Sequence, residues 1–344
     1  MTYQPPKIPT PKSATQLENS KPYDFVSFPK ERPNLQRPYG HHKYDANRLH
    51  GTIYLTLKVQ TSLHVSTGAV VLGSDIGSKI SLIKTMMQGV NSKLSIQGSS
   101  LKGCIRSVYE AITNSTLPVV TSRYKDKIPQ ERLPCRKKEQ LCPASRVFGA
   151  LDWQGLIEFN DANCENIGFS TGFMPSLHRP RPDQRDEYFV NGKVAGRKFY
   201  FNTSKAIDKG QKEGISVQQA GREYTFTTEI QFKNLLPEEL GTLLITLGQD
   251  KKYPIALKVG GGKPIGMGTM TVNVDKINQP QNLKQRYLAY EISEDDELTG
   301  AKLDQFIQKQ IQAAHSKLIA KEQLDQLAAI LRYPSDRQPP TGMY

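Results

Sequence analysis

Gln97-Gly-Ser-Ser-Leu-Lys-Gly-Cys-Ile-Arg-Ser-Val-Tyr-Glu-Ala-Ile112 is the stretch on which the reading of the fold turns. Leu101, Ile105, Val108 and Ile112 recur at spacings of four, three and four, which places them on one face of a helix. Gly98, Ser99 and Ser100 lead into that helix, and either serine is of the type that caps a first turn. Lys102 and Arg106 share a second stripe. An ordinary capped amphipathic helix accounts for this pattern. So does a helix start whose amides, hydroxyls and cations hold a phosphate.

The flanking segments supply a sheet for the helix to pack on. Ile53, Leu55, Leu57 and Val59 alternate with polar residues over 51–60, as in a half-buried strand. Leu156-Ile-Glu-Phe-Asn-Asp161 reads as a second strand and 222–233 as a third, with Phe226, Ile230 and Phe232 on one face. Leu236, Leu240, Leu243, Leu244 and Leu247 then have helical spacing, and a fourth strand follows with Met270, Val272 and Val274. Strand, helix, strand, insertion, strand, helix, strand is the order of a split βαβ unit. The expectation is an α+β fold with a ferredoxin-like core of the modified RNA-recognition type, a large insertion and a C-terminal helical tail.

Three regions follow. Residues 1–50 form a Pro-rich arm, with eight of the chain's 22 prolines within 1–40. Residues 51–285 form the core domain, with an insertion around 172–203. Residues 286–344 form an acidic tail of one or two amphipathic helices, loose beyond 335.

The 344 residues carry a formal net charge of +13, unevenly spread. Residues 120–150 hold eight Lys or Arg against three Asp or Glu, and 176–225 hold ten against six, whereas 291–326 hold four against eight. A regional excess of this kind points to a polyanion-binding groove, with nucleic acid ahead of an anionic membrane. No apolar run approaches the roughly 20 residues of a membrane span, and no signal pattern opens the chain, so a cytoplasmic protein is expected.

Several stretches carry candidate chemistry. Asp75 lies in the small-residue loop 66–80, where a carboxylate either forms a turn or positions a metal ion. Around Asn191-Gly192, a hairpin signal, lie Arg179, Arg181, Arg197 and Lys198 among aromatic residues. These either contact RNA or belong to a surface hairpin whose rings pack on the core. Gly260, Gly261, Gly262, Gly266 and Gly268 with Lys263 mark a close backbone approach, to an extended phosphate backbone or to the chain itself. Cys135, Cys142 and Cys164 are too loosely spaced for a usual zinc pair, and inert buried thiols stand beside a zinc reading. His64 reads as a core histidine or as a general base. His41 and His42 read as solvated.

Gly98-Ser-Ser-Leu-Lys-Gly103 with Arg106, Cys142-Pro-Ala-Ser-Arg-Val-Phe-Gly149 and Gly260-Gly-Gly-Lys-Pro-Ile-Gly-Met-Gly268 together resemble the RAMP superfamily of CRISPR-associated proteins, in particular the backbone subunits of type III effector complexes. The resemblance spans 98–268 and leaves out the arm and the tail. It implies a subunit that assembles along a CRISPR RNA with other subunits of the complex and a target RNA. Ser99, Ser100, Lys102 and Arg106 would grip the guide, the Gly260–Gly268 loop would lie against the same strand, and the 176–203 segment would act as a thumb. In cleaving members an Asp between the first strand and the helix supports metal-dependent cutting of target RNA. Asp75 is the only Asp in that interval, and the cofactor implied is a divalent ion such as magnesium. Ser145 stands where the family often has a further cysteine. The alternatives are a non-catalytic structural or capping subunit, a metal-independent guide-processing endonuclease using His64, and a general RNA-binding protein.

Overall fold

The computed structural model describes residues 21–89, 92–177, 188–207, 214–280 and 296–340, with positions 282, 284 and 288. Its principal strands are β1 (Tyr23–Ser27), β2 (Leu49–Val59), β3 (Ser66–Leu72), β4 (Leu82–Met86), β5 (Ile157–Phe159), β6 (Ala162–Cys164), β7 (Ser170–Pro175), β8 (Gly196–Tyr200), β9 (Gly214–Gln219), β10 (Thr225–Leu235) and β11 (Thr269–Asn278). Its longer helices are α1 (Gly98–Ile112), α2 (Pro237–Thr246), α3 (Gly300–Lys317) and α4 (Lys321–Leu331).

The central sheet is antiparallel. β11 pairs with β2, β2 with β10, and β10 with both β5 and β6. In chain order these are the first strand (β2), a second in two short pieces (β5, β6), a third (β10) and a fourth (β11), and their spatial order is fourth, first, third, second. Alternation along β2 explains why the sheet has a buried face: Ile53, Leu55, Leu57 and Val59 are at most 2% exposed. Extra residues keep the partner strands in phase. Asp275 of β11 is bulged out, so Val274 and Ile277 both reach the core side. A similar shift between Phe232 and Leu235 puts Asn234 at positive φ, where its side chain binds the carbonyls of Gly40 and Lys43 and the amide of Asp45. A bulge of this kind re-aims side chains, and here it pins the N-terminal arm to the sheet.

Helices α1 and α2 belong to the same core as this face. Leu101, Ile105, Val108 and Ile112 of α1 are each at most 2% exposed, and full burial of such a side chain contributes about 1.5–3 kcal/mol. The inner faces of α3 and α4, through Leu303, Ile307, Ile311, Ala314, Leu324 and Leu327, join that core. The acidic tail thus packs on its own chain. Residues 335–338, expected to be loose, are instead tied to 202–204. Ser335 donates to the Asn202 carbonyl, the Ser204 amide to the Arg337 carbonyl, and the Arg337 guanidinium sits 3.6 Å from the centre of the Phe201 ring. Cation–aromatic stacking and backbone pairing fix a segment whose composition alone reads as a free end.

The loop expected over 66–80 is instead part of a hairpin. β3 and β4 pair antiparallel across a short 3-10 turn at Gly73–Ile76. Together with β7 and β9 they form a second, four-stranded sheet. The small residues there make a tight tip: a Cβ at Gly73 would fall 1.7 Å from the Ile80 carbonyl oxygen. The Asn191-Gly192 turn is present as read. Both residues have positive φ, and Phe189–Val190 pairs with Lys193–Val194, as a two-residue hairpin turn requires. β8, which follows it, pairs with β1 of the arm. Among the described residues no helix is long and apolar enough to cross a membrane.

Candidate nucleic-acid interface

α1 begins at Gly98 with Gln97 as its N-cap, and neither Ser99 nor Ser100 caps it. The Gly98 amide donates to Asp161 Oδ1 at 2.7 Å. A Cβ at 98 would meet the Phe159 carbonyl oxygen at 2.4 Å, so glycine lets the helix start press against the turn between β5 and β6. One amide of the helix start is thus taken by a carboxylate of the chain, at the end of the helix that favours an anion. What α1 leaves to solvent is a stripe of small residues, Ser99, Gly103 and Ser107, flanked by half-buried Ser100, Lys102 and Arg106. Lys102 has no hydrogen bond or ion pair among the described residues. Burial, then the neighbouring Arg106, lowers its ammonium pKa.

One turn further on, Glu110 is 3% exposed and holds two arginines. Arg106 Nε donates to Oε1 at 2.7 Å and Arg197 Nη1 to Oε2 at 2.9 Å. Arg197 also donates from Nη2 to the Ser115 and Thr116 carbonyls. Burial pushes the Glu110 carboxyl upward, and Arg197 and then Arg106 oppose it. A buried carboxylate held by two guanidiniums joins α1, β8 and the 114–116 segment, and each charge is costly to strand alone.

Beside this hub lies a cavity of about 190 Å³, bounded by α1 (Cys104, Ser107, Val108), β8 (Arg197, Lys198, Phe199, Tyr200), Lys258, Lys263 and Leu331. Four of its lining residues are Lys or Arg and none is acidic. Lys198 Nζ lies 3.6 Å from the centre of the Tyr23 ring and donates to the Tyr188 hydroxyl at 2.8 Å, so the rings of β1 and the hairpin hold it in place. Lys258 is 5% exposed, and its Nζ donates to the Gly266 carbonyl and to Thr269 Oγ1, each at 3.1 Å. Burial and then the Lys263 charge bring its pKa down to about 7. Burial pushes the Cys104 thiol up, against the opposing effect of Lys263.

Gly260, Gly262, Gly266 and Gly268 all have φ between 65° and 90°. Their close approaches are to the chain itself. A Cβ at Gly260 would lie 2.4 Å from the His64 carbonyl oxygen, and one at Gly268 would lie 1.9 Å from that of Val259. The Gly261 amide donates to the His64 carbonyl at 2.8 Å, while Ile265 and Met267 pack with Met174 and Val217 of the second sheet. The glycine loop is therefore a strap between the two sheets, and Lys263 is its contribution to the cavity.

The structure thus brings Arg197, Lys198 and Lys263 to the cavity beside Cys104 and Ser107, and Arg106 to Arg197 through Glu110, while Lys102 lies on the other flank of the exposed stripe, near Arg106 and Glu158. Arg179 and Arg181 lie outside the described residues. Asp75 is exposed at the hairpin tip of the second sheet, with the Ser74 hydroxyl 3.4 Å away. Cys135 and Cys142 are adjacent. The Cys142 amide donates to Cys135 Sγ at 3.3 Å, and Thr116 Oγ1 is 3.4 Å and 3.3 Å from the two sulfurs. The interaction between the two thiols holds the Cys142 thiol well down and the Cys135 thiol up. Cys164 sits apart on β6. Among the described residues no three His, Cys, Asp or Glu are gathered so as to hold a metal ion. Neither Asp75 with Ser74 nor the two thiols make a site for a divalent cation or for zinc on their own. His64 is 1% exposed; its Nδ1 bonds the Gln218 carbonyl, its Nε2 is buried without a partner, and burial lowers its pKa.

Sequence reasoning missed Lys258, Cys104 and Ser107 as lining residues and Glu110 as the hub. A single Lys inside the apolar run Ile255-Ala-Leu-Lys-Val259 was the available signal. The open face of the central sheet is not comparably cationic. Lys58, Lys233 and Lys276 there pair with Glu223, Glu158 and Glu297, and Glu229 and Asp275 accept from Asn160 and Thr56.

No curated protein matches the chain. The sequence profile of the RAMP superfamily matches residues 56–271, from β2 through the glycine loop into β11, and so covers every element that builds the cavity except the C-terminal Leu331. The chain belongs to the RAMP superfamily, whose members serve as CRISPR-associated RNA-binding proteins.

Proposed function

We propose that the cationic cavity and the adjoining stripe of α1 grip the phosphate backbone of a CRISPR RNA, and that the chain is a guide-binding backbone subunit of a type III interference complex. The observation that carries this reading is the convergence of Arg197, Lys198, Lys258 and Lys263 on one cavity with no acidic residue in its lining. Lys102 and Arg106 add two cations on the other flank of the exposed stripe of α1. The fourth-first-third-second strand order supports a ferredoxin-like core of the RNA-recognition type. The open sheet face, with its paired charges, is the weaker RNA platform, since such platforms depend on exposed stacking rings. Purification of the chain with its native partners, followed by sequencing of the bound RNA, tests the reading. Guide RNAs of uniform length with repeat-derived ends support it, and heterogeneous cellular RNA contradicts it.

Cleavage of target RNA is a separate proposal, resting on Asp75. Its carboxylate is exposed, and the contact described for it is to the adjacent Ser74 hydroxyl. Loss of target cutting in the assembled complex bearing Asp75→Ala, with guide binding kept, supports the proposal, and unchanged cutting at every site removes Asp75 from it.

A further inference from the structure

The hydrogen bonds around Lys258 fix the direction in which each group donates. Asn202 Nδ2 donates to the carbonyls of Ala256 at 2.9 Å and Leu331 at 2.7 Å. That orients the amide so that its Oδ1 accepts from the Thr269 hydroxyl at 3.1 Å. Thr269 Oγ1 has then used its hydrogen, and it accepts from Lys258 Nζ. The other partner of Lys258, the Gly266 carbonyl, is an acceptor by nature. Two hydrogens therefore satisfy both partners of this nitrogen. A neutral amine supplies two, and its lone pair takes the remaining tetrahedral position; Lys258 also lines the cavity. An ammonium supplies a third hydrogen, for which no acceptor lies among the described residues.

The groups facing Lys258 favour the neutral form while the cavity is open. From α1 come Cys104, Ser107 and Val108; from β8 come Arg197, Lys198 and the Tyr200 phenol; from the glycine loop comes Lys263; and Leu331 closes the side. The lining offers no carboxylate, and the acidic residue nearest the hub, Glu110, is already held by Arg106 and Arg197. An oxyanion entering the cavity would meet Lys198 and Lys263, with Arg197 beside them already paired to Glu110, and would supply an acceptor for Lys258, a charge-assisted bond.

We infer that the cavity is a site for one tetrahedral oxyanion, a phosphate group, and that its arrival converts Lys258 from a neutral amine to an ammonium by uptake of one proton from solvent. The inference rests on the RNA reading only for the source of the phosphate, since a free oxyanion has the same chemistry. The low pKa of Lys258, about 7, agrees with it. Binding then strengthens as pH falls toward 7 and weakens above it, by up to about tenfold per pH unit until the pKa of the occupied site is reached.

The test uses the full chain at fixed ionic strength between pH 7.0 and 8.5. The probes are sulfate, which does not titrate in that range, and a single-stranded RNA oligomer. Both affinities are expected to fall towards tenfold per pH unit in the upper half of the range, with protons taken up on sulfate binding in calorimetry across buffers of different ionisation enthalpy. Lys258→Met abolishes the slope. Lys263→Gln, a half-exposed position suited to a folded variant, weakens binding and moves the onset of the slope to higher pH, because it removes the like charge beside Lys258. Flat sulfate affinity, or an onset unmoved by Lys263→Gln, overturns the inference. RNA that binds without a pH slope, beside sulfate that binds with one, supports the oxyanion site and overturns the RNA backbone as its occupant. Sulfate that binds with the slope while RNA fails to bind supports the oxyanion site and overturns the RNA reading.

Discussion

Arg197 Nη1 lies 2.9 Å from Glu110 Oε2, and through this contact the strand after the hairpin is fixed to the helix that opened the sequence reading. Glu110 is buried and its other oxygen holds Arg106. Removing the carboxylate leaves two guanidiniums without their counter-charge. Glu110→Gln is expected to lower the unfolding free energy by about 3–5 kcal/mol, the usual cost of breaking a buried ionic hub from one side. Chemical denaturation measures it. A loss below about 1 kcal/mol, the size of a surface pair, contradicts the hub.

Lys258 makes stability depend on pH in a stated direction. Its folded pKa is depressed to about 7, whereas an unfolded lysine titrates near about 10.4. Between these values the unfolded chain binds the proton that the folded chain lacks. Stability contributed at this site rises with pH through that window, by up to about 1.4 kcal/mol per unit. The burden of the buried charge is fully present below pH 7. Denaturation curves from pH 7.0 to 8.5 should show this rise in the unmodified chain and its loss in Lys258→Met. Parallel pH profiles for the two proteins refute it.

Gly266 has φ of 90°, and a Cβ there would sit 2.5 Å from the Lys205 carbonyl oxygen and 2.6 Å from Thr203 Oγ1. Its carbonyl also accepts from Thr61 and Lys258. Gly266→Ala should cost at least about 1–3 kcal/mol through backbone strain alone, with a further loss from displacement of the 203–205 backbone. Its RNA affinity should fall because its carbonyl holds Lys258, which lines the cavity. A variant of unchanged melting temperature would show that the strap is not held by these contacts.

Much of the fold was legible because its strands obey simple alternation. Ile53 to Val59 and Phe226 to Ile230 announce a buried face, and Leu101 to Ile112 announce the helix upon it. What could not be read was anything set by partners distant in sequence. Ser99 and Ser100 suit capping, yet Asp161, across the β5–β6 turn, decides how α1 begins. The 66–80 stretch looks like a loop because its residues are small, and only pairing with 82–86 makes it a hairpin. Arg197 and Lys198 were legible as cations near rings, but not as neighbours of Glu110 and Tyr23. Lys263 was legible as the cation of a glycine loop. Lys258 was not, because its role comes from Thr269, Asn202 and the cavity wall. The glycines announce a close approach, to an RNA backbone or to the chain itself, and the approaches in the structure are to the chain's own carbonyls of His64, Val259 and Lys205.

The most direct test of the account is the salt dependence of single-stranded RNA binding by the full chain, compared with the Lys102→Ala, Lys263→Ala double variant. Both side chains are half-exposed, so the fold should survive. If each neutralises one phosphate, the slope of log affinity against log salt concentration should shrink by about 1.4, at about 0.7 for each contact to a single strand, with weaker binding at low salt. An unaltered slope and affinity would contradict the placement of the RNA backbone along α1 and the cavity.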